Sequence, residues 1–412
     1  MIRLLFIPAL ALCASLLNNH ANTETLPSYT TEIPAAKKEI ITGADQIQKY
    51  LPLLKGKRVG MLVNQTSVIG SRLSVDSLRA LGVNIKLIFG PEHGFRGNAS
   101  NGAKVADEID PQTRIPIISL YGKKRKPSLE DMKKIDIMLF DIQDVGCRFY
   151  TNINTLYDVM EACAETGKEM IILDRPNPNA FVDGPVLIDK KLISGVGKFP
   201  IPITHGMTLG EFAQMINGQG WLPKKMKCKI RIIPVANYTH DMEYTLPVPP
   251  SPNLMTQQSI VLYPSLCLFE GTIISQGRGT YMPFTVLGAP ELQGQYEFSF
   301  TPKSIPGKSE NPQHLNKTCY GLDLRNYDIS DYRKKGQINI KWMIDMYKAY
   351  PDKKKFFAYK ENPPMMNIDV LAGTSEFEEQ IKAGLSEEQI RKSWEPELGA
   401  YKKMRKKYLL YP

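Results

Sequence analysis

Residues 135–173 read IDIMLFDIQDVGCRFYTNINTLYDVMEACAETGKEMIIL, and this stretch decides the fold. It opens on an apolar run of strand length (135–140) and closes on another (169–173). Between them lie a polar loop and a helical segment at 154–166. Continuously apolar, Ile- and Val-rich runs of this length are how strands covered on both faces of a parallel sheet read. Strand, helix, strand at this spacing is a βαβ unit.

Working outward, the same alternation recurs. Upstream, strands are expected at 58–64 (RVGMLVN), 84–89 (NIKLIF) and 115–120 (IPIISL), with helices at 72–81 and 128–134. Downstream, a helix starts at Thr208 (MTLGEFAQMIN) and a strand covers 229–235 (KIRIIPV). The expected class is α/β, a doubly wound, mostly parallel, Rossmann-like sheet over residues 41–290. Beyond a loop-rich stretch at 291–318 the pattern shifts to amphipathic helices at 341–350, 376–384 and 385–404. Residues 291–412 are therefore read as a second, smaller α+β domain that closes the cleft.

The N-terminus, MIRLLFIPALALCASLLNNHANTETLP, has one Arg, a short apolar core and a polar exit, which is the pattern of a secretory signal. Cleavage is expected near Ala21. Lipidation at Cys13 is disfavoured because Leu12 is bulkier than the small residue such sites carry. Residues 22–40 read as a linker. No other run approaches membrane-spanning length. The destination read from these features is export across the inner membrane to the periplasm. Lys and Arg number 52 against 42 Asp and Glu, a net charge of +10 over 412 residues, which favours anionic partners without choosing among them. Cys147, Cys163, Cys228, Cys267 and Cys319 are widely spaced with no Cys-x-x-Cys, which argues against a zinc ribbon or thioredoxin-type site. A single disulfide stays open in an oxidising compartment.

In an open α/β sheet the ligand lies outside the carboxyl ends of the strands. Each expected strand is followed by a polar run there: Asn64-Gln65-Thr66-Ser67; Gly90-Pro91-Glu92-His93-Gly94-Phe95-Arg96-Gly97; Asp141 through Tyr150; and Asp174-Arg175-Pro176-Asn177-Pro178. These loops should converge on one rim. They would gather Glu92, Asp141, Asp144 and Asp174 with Asn64, His93, Arg96, Gln143, Arg148, Tyr150, Arg175 and Asn177. Glu92 reads either as a catalytic carboxylate or as a loop carboxylate paired to Arg96. Asp141 and Asp144 read as a catalytic pair, a metal site or caps for the next helix. His205, in Thr204-His205-Gly206, orients a ligand or sits satisfied in its loop. A second polar run, GTIISQGRGTYMPF (271–284), offers Ser275, Arg278 and Thr280 between glycines, as a ligand grip or as a Gly-rich turn.

Absences narrow the chemistry. No G-x-G-x-x-G follows the first strand, which disfavours a dinucleotide, and no cofactor is expected. There is no G-x-x-x-x-G-K-[ST], H-E-x-x-H or G-x-S-x-G. With five histidines in the chain, a His-rich metal centre is not expected. No nucleic-acid-binding motif is present.

The motifs FGPEHGFRG, SLYG, FDIQDVGCRFYTNINTL, LDRPNP, HGMTLGEFA, PPSPN and EGTIISQGRGTYMPF, in that order, resemble the exo-acting β-N-acetylmuramidases of the NamZ type. The resemblance runs from about Lys57 to the terminal KKYLLYP. Cys147 and Asn152 depart from the Ala and the Thr-like residue expected there. The resemblance implies hydrolytic release of N-acetylmuramic acid from the non-reducing end of peptidoglycan fragments, with peptidoglycan-derived disaccharides or muropeptides as partners. It also implies a Rossmann-like domain with a smaller C-terminal domain, and it puts the family's catalytic glutamate on Glu92. Glycoside hydrolysis needs an acid and commonly a second carboxylate; Asp141, Asp144 and Asp174 are open for that place, as is assistance by the sugar's own acetamido group. The lactyl carboxylate of muramic acid calls for an arginine, with Arg96, Arg148, Arg175 and Arg278 as candidates. Two rivals share these residues. One is a metal-assisted hydrolase using Asp141, Asp144 and a histidine; the other is a periplasmic muropeptide-binding protein without turnover.

Overall fold

Val59–Val63 (β1), Ile85–Gly90 (β2), Glu108–Ile109 (β3), Pro116–Ser119 (β4), Ile137–Asp141 (β5), Glu169–Leu173 (β6) and Lys229–Ile233 (β7) form one sheet in the order β7-β6-β5-β1-β2-β4-β3. Neighbours run parallel except at the edge, where β3 is antiparallel to β4. This is a computed structural model, and it describes residues 38–91, 95–96, 108–122, 124–357 and 367–412. Glu92 and His93 lie outside the described residues, as do the expected signal and most of the linker.

The register explains the apolar runs. Leu62 lies beside Phe89 and Phe140, whereas Met61 lies beside Ile88 and Leu139. The first set packs on Leu156 and Met160 of α4 (Asn152–Thr166) and on Phe212 and Ile216 of α5 (Leu209–Gln219). The second set packs on Tyr50 and Leu54 of α1 (Ile47–Leu54) and on Val75 and Leu78 of α2 (Ser74–Ala80). Alternate residues thus enter opposite cores, so polar alternation is suppressed along each central strand. Each fully buried Val, Leu or Ile contributes roughly 1.5–3 kcal/mol, which makes this two-sided burial the main stabiliser of the sheet.

Element ends follow local chemistry. Ser128 and Asp131 form a capping box at α3 (Leu129–Lys133), and Thr208 and Glu211 form another at α5. Gly167 ends α4 at φ +66°, a left-handed position that suits glycine. The helix expected at 72–81 is shorter because Arg72–Leu73 pairs with Val68–Ile69 as a two-residue ladder.

The rest of the chain adds α6 (Gln257–Leu266) and a three-stranded antiparallel sheet. Its strands are Val286–Ala289 (β8), Phe298–Phe300 (β9) and Cys319–Asp323 (β10), in the order β8-β10-β9. Helices α7 (Ile329–Lys335), α8 (Lys341–Ala349), α9 (Lys353–Phe356), α10 (Ile368–Ala372), α11 (Glu376–Lys382) and α12 (Glu387–Arg405) follow. A third core, with Phe269, Trp342, Phe356, Trp394 and Leu398, holds this smaller part together. The last helix returns to the large sheet, where Tyr401 is buried among the residues of α4 and α5.

Candidate active site

The sheet order fixes where a site can form. From β1 the chain moves to β2 and β4 on one side, then crosses back to β5, β6 and β7 on the other. The winding reverses between β1 and β5, and this switch point, at the carboxyl ends of the strands, is where open α/β sheets seat a ligand.

Those loops are bound to each other. Asn64 Oδ1 accepts from the Thr66 backbone N–H at 2.9 Å and from the Thr66 hydroxyl at 2.6 Å. Thr66 Oγ1 in turn accepts the Gln143 N–H at 3.0 Å, and the Ser67 hydroxyl donates to the Asp141 carbonyl. Gln143 Nε2 donates to the carbonyls of Asp144 (2.8 Å) and Pro176 (2.7 Å). The loops after β1, β5 and β6 are therefore one polar shell, and it contains Asn64, Asp141, Gln143, Asp174, Arg175 and Asn177, all buried.

The carboxylates in this shell have different surroundings. Asp141 is the last residue of β5 and accepts from Arg175 Nε at 2.7 Å, while Arg175 Nη2 donates to the Val68 carbonyl at 2.8 Å. Burial works against the Arg175 charge, but Asp141 outweighs it and holds the guanidinium above its ordinary pKa. Asp144 Oδ2 accepts the Gly146 N–H at 2.8 Å and faces His205 Nε2 at 3.4 Å. His205 Nδ1 accepts the Met207 N–H, which puts the proton of a neutral ring on Nε2; that atom makes no hydrogen bond among the described residues, although Asp144 Oδ2 lies 3.4 Å away. Asp144 Oδ1 and Asp141 Oδ2 are buried without a donor among the described residues, as is Gln143 Oε1. Neither aspartate caps α4, whose N-cap residue is Thr151.

Asp174 stands apart. Its oxygens accept from Tyr411 Oη (2.5 Å), Thr208 Oγ1 (2.7 Å) and the Gly210 N–H (2.9 Å). Burial pushes its pKa up to about 6 against these three donors, with Glu211 adding to the rise. Gly146 shows how tightly the shell closes. It has φ +80°, and a Cβ there would stand 2.2 Å from Asn177 Oδ1.

The other expected residues are spread more widely. Arg96 pairs with Asp110 through Nε and Nη2 (2.8 and 2.9 Å) and with Asp76 at 3.6 Å. Arg148 is fully buried and has no carboxylate; its guanidinium donates to the carbonyls of Pro185, Ile201 and Leu371 at 2.7–2.9 Å. Burial lowers its pKa to about 9. It ties the loop after β5 to α10. Tyr150 Oη donates to the Pro250 carbonyl at 2.9 Å, joining that loop to the Pro-rich segment. Ser275 Oγ and Thr280 Oγ1 both bond within the Gly-rich loop, and Arg278 pairs with Glu270 at 2.6 Å.

Two buried glutamates escaped the sequence reading. Glu211 accepts from the Thr208 N–H, from His240 and from the N–H groups of Leu410 and Tyr411, pinning the C-terminal tail. The Thr-x-x-Glu spacing at 208–211 was the available signal. Glu270 holds Arg278 and Gln276; its place at the head of the motif EGTIISQGRGTYMPF was the available signal. Among the described residues no cluster of His, Cys, Asp or Glu is arranged to hold a metal ion.

Fold and site together define a doubly wound α/β protein with a polar, carboxylate-bearing shell at its topological switch point. The family model for the N-terminal part of the exo-β-N-acetylmuramidase NamZ matches residues 59–258, and that for the C-terminal part matches 261–411. The chain belongs to the NamZ exo-β-N-acetylmuramidase family. It is 38% identical, over 92% of each chain, to the peptidoglycan β-N-acetylmuramidase NamZ of Bacillus subtilis strain 168. Two crystal structures of DUF1343 family proteins from Bacteroides fragilis are also similar. One is 46% identical with a TM-score of 0.82, covering 91% of this chain and 99% of that one. The other is 29% identical with a TM-score of 0.77, covering 90% and 99%.

Proposed function

We propose that this protein is an exo-acting peptidoglycan β-N-acetylmuramidase, which releases N-acetylmuramic acid from the non-reducing end of cell-wall fragments during wall turnover. The observation that carries the reading is the match to both parts of one muramidase family across residues 59–411. Glu92, two residues beyond the end of β2, is the general acid that protonates the leaving glycosidic oxygen. Asp144 is the carboxylate best suited to act with it. Asp141 is ion-paired with Arg175 and Asp174 is held by three donors, whereas Asp144 accepts only the Gly146 N–H among the described residues, with His205 Nε2 3.4 Å from its Oδ2. Residues 1–21 direct export and the mature protein works in the periplasm; N-terminal sequencing of protein from a cell fraction tests this, and an intact Met1 would refute it.

The function test is turnover of a chromogenic β-N-acetylmuraminide beside the matching β-N-acetylglucosaminide, with and without EDTA. Selective cleavage of the muraminide, unaffected by EDTA, is expected. Glu92→Gln should lose about 10²-fold or more, the range for removing a general acid. Binding of the sugar without release would replace the reading with that of a carrier, and loss of activity in EDTA would replace it with metal-assisted hydrolysis.

A further inference from the structure

We propose that Arg278 is the receptor for the lactyl carboxylate of muramic acid and that Glu270 is its positioning residue; the assignment rests on the muramidase reading above. A carboxylate on an ether side arm is what separates muramic acid from its neighbour sugar, so its receptor sets specificity. An arginine fork is the natural partner. Of the four candidate arginines, three are committed. Arg96 already faces the two carboxylates of Asp110 and Asp76. Arg148 spends its guanidinium on three carbonyls and is fully buried. Arg175 has 3% of its side chain exposed and is bound to Asp141.

Arg278 combines what each of the others lacks. Its side chain is 23% exposed, against 3% for Arg175 and none for Arg148, and among the described residues it meets one carboxylate where Arg96 meets two. Nε and Nη2 both lie 2.6 Å from Glu270 Oε1, so the side edge of the guanidinium is used and Nη1 has no partner among the described residues. The end edge, Nη1 with Nη2, is the one that binds a second carboxylate with two parallel hydrogen bonds. The plane is fixed from below by Phe284, whose ring centroid is 5.1 Å from the guanidinium carbon. The turn is also made for display. Gly277 and Gly279 flank the arginine at φ +83° and +78°, where a Cβ would come within 2.7 Å of the Met282 and Lys303 carbonyl oxygens respectively.

Location and charge agree. Phe284 packs on Tyr263 at 5.0 Å, and Tyr263 packs on Tyr150 of the loop after β5 at 6.1 Å. Ring contacts thus connect Arg278 to the switch-point loops. The adjoining segment adds a cation, the Lys308 ammonium, which lies 5.6 Å from the Tyr281 ring centroid; the Lys303 backbone N–H also donates to the Gly279 carbonyl, while its ammonium bonds Asn316.

The test compares kcat/KM for a chromogenic β-N-acetylmuraminide with that for its lactyl methyl ester, in the wild-type protein and in Arg278→Gln, Arg278→Lys and Glu270→Gln. Wild type should prefer the acid. Arg278→Gln should cut that preference by about 10- to 100-fold, as expected for loss of charged hydrogen bonds, with the loss carried by KM for the acid. Arg278→Lys should recover part of it, and Glu270→Gln should reduce it in the same direction by less. An active wild type with no preference for the acid overturns the assignment and leaves the muramidase reading standing; so does a preference retained in both Arg278 variants. Should Arg278→Gln fail to fold, the wild-type ratio and Arg278→Lys decide. Wild type inactive on both compounds defeats the muramidase reading and this assignment with it.

Discussion

Removing one hydroxyl near the C-terminus should cost stability in a pH-dependent way. Tyr411 Oη donates to Asp174 Oδ2 at 2.5 Å and accepts the Val235 N–H at 2.9 Å, and the tyrosine is buried. Tyr411→Phe deletes a hydrogen bond to a charged group and orphans a buried N–H. At about pH 8 the two losses together come to about 2–5 kcal/mol. Burial raises the Asp174 pKa from 3.8 to about 6, and the Tyr411 bond is one of the groups restraining the rise. For a carboxyl raised on folding, the native state binds the proton more tightly than the unfolded chain. Its contribution is whole below about pH 4 and is lost as pH climbs through about 6, a change of about 3 kcal/mol. Without Tyr411 the native pKa rises further, so the loss on the alkaline side deepens. The assay is urea unfolding of wild type and Tyr411→Phe at about pH 4.5 and about pH 8. The variant's deficit should be larger at the higher pH by about 1 kcal/mol or more, the difference between a charged and a neutral hydrogen bond. An equal deficit, or a larger one in acid, would refute the reasoning.

Arg148→Met should lower stability by about 2–4 kcal/mol in chemical denaturation, because the carbonyls of Pro185, Ile201 and Leu371 each lose a donor. Loss of the buried charge returns part of that cost, so a variant as stable as wild type would show that desolvation outweighs the three bonds. The five described cysteines are free and buried, so they should resist a thiol reagent in the native protein and react after unfolding, and reductant should leave the melting temperature unchanged.

The central strands were legible because burial on both faces removes polar alternation, and 135–140 and 169–173 carried that signal in plain form. The two-residue edge strand Glu108–Ile109 had no such signal, since both of its residues are exposed. The loops after the strands were legible as a group through the rule for open sheets, and the structure does join Asn64, Asp141, Gln143 and Arg175 in one shell. What each residue does within a loop was not legible. Asp141 and Asp174 look alike in sequence, yet one is ion-paired with Arg175 and the other is held by a tyrosine 237 residues away. Arg148 stands in a motif as polar as any other, but its partners are carbonyls from three distant segments. Such partners are set by tertiary packing and leave no periodic trace. The tail KKYLLYP carried no signal beyond marking the end of the resemblance, although its Tyr411 reaches Asp174.

The amount of polar chemistry spent on holding loops has a functional logic. Gly90 ends β2 and Asp141 ends β5, and both strands border β1, so these stems stand roughly 9–10 Å apart at two strand spacings. A sugar seated at the switch point, as the proposed function requires, would span that gap. Acid catalysis depends on holding the glycosidic oxygen within hydrogen-bond reach of the acid, and small misplacements are costly. Asn64, Thr66 and Gln143 lock the turn to the loop after β5, Arg175 fixes Asp141 to the loop after β6, and Arg148 ties the same region to α10. Most polar residues under the rim thus serve as a rigid floor. A rigid floor of this kind is what the proposed acid, Glu92, and the proposed receptor, Arg278, require to act on a substrate with little reorganisation.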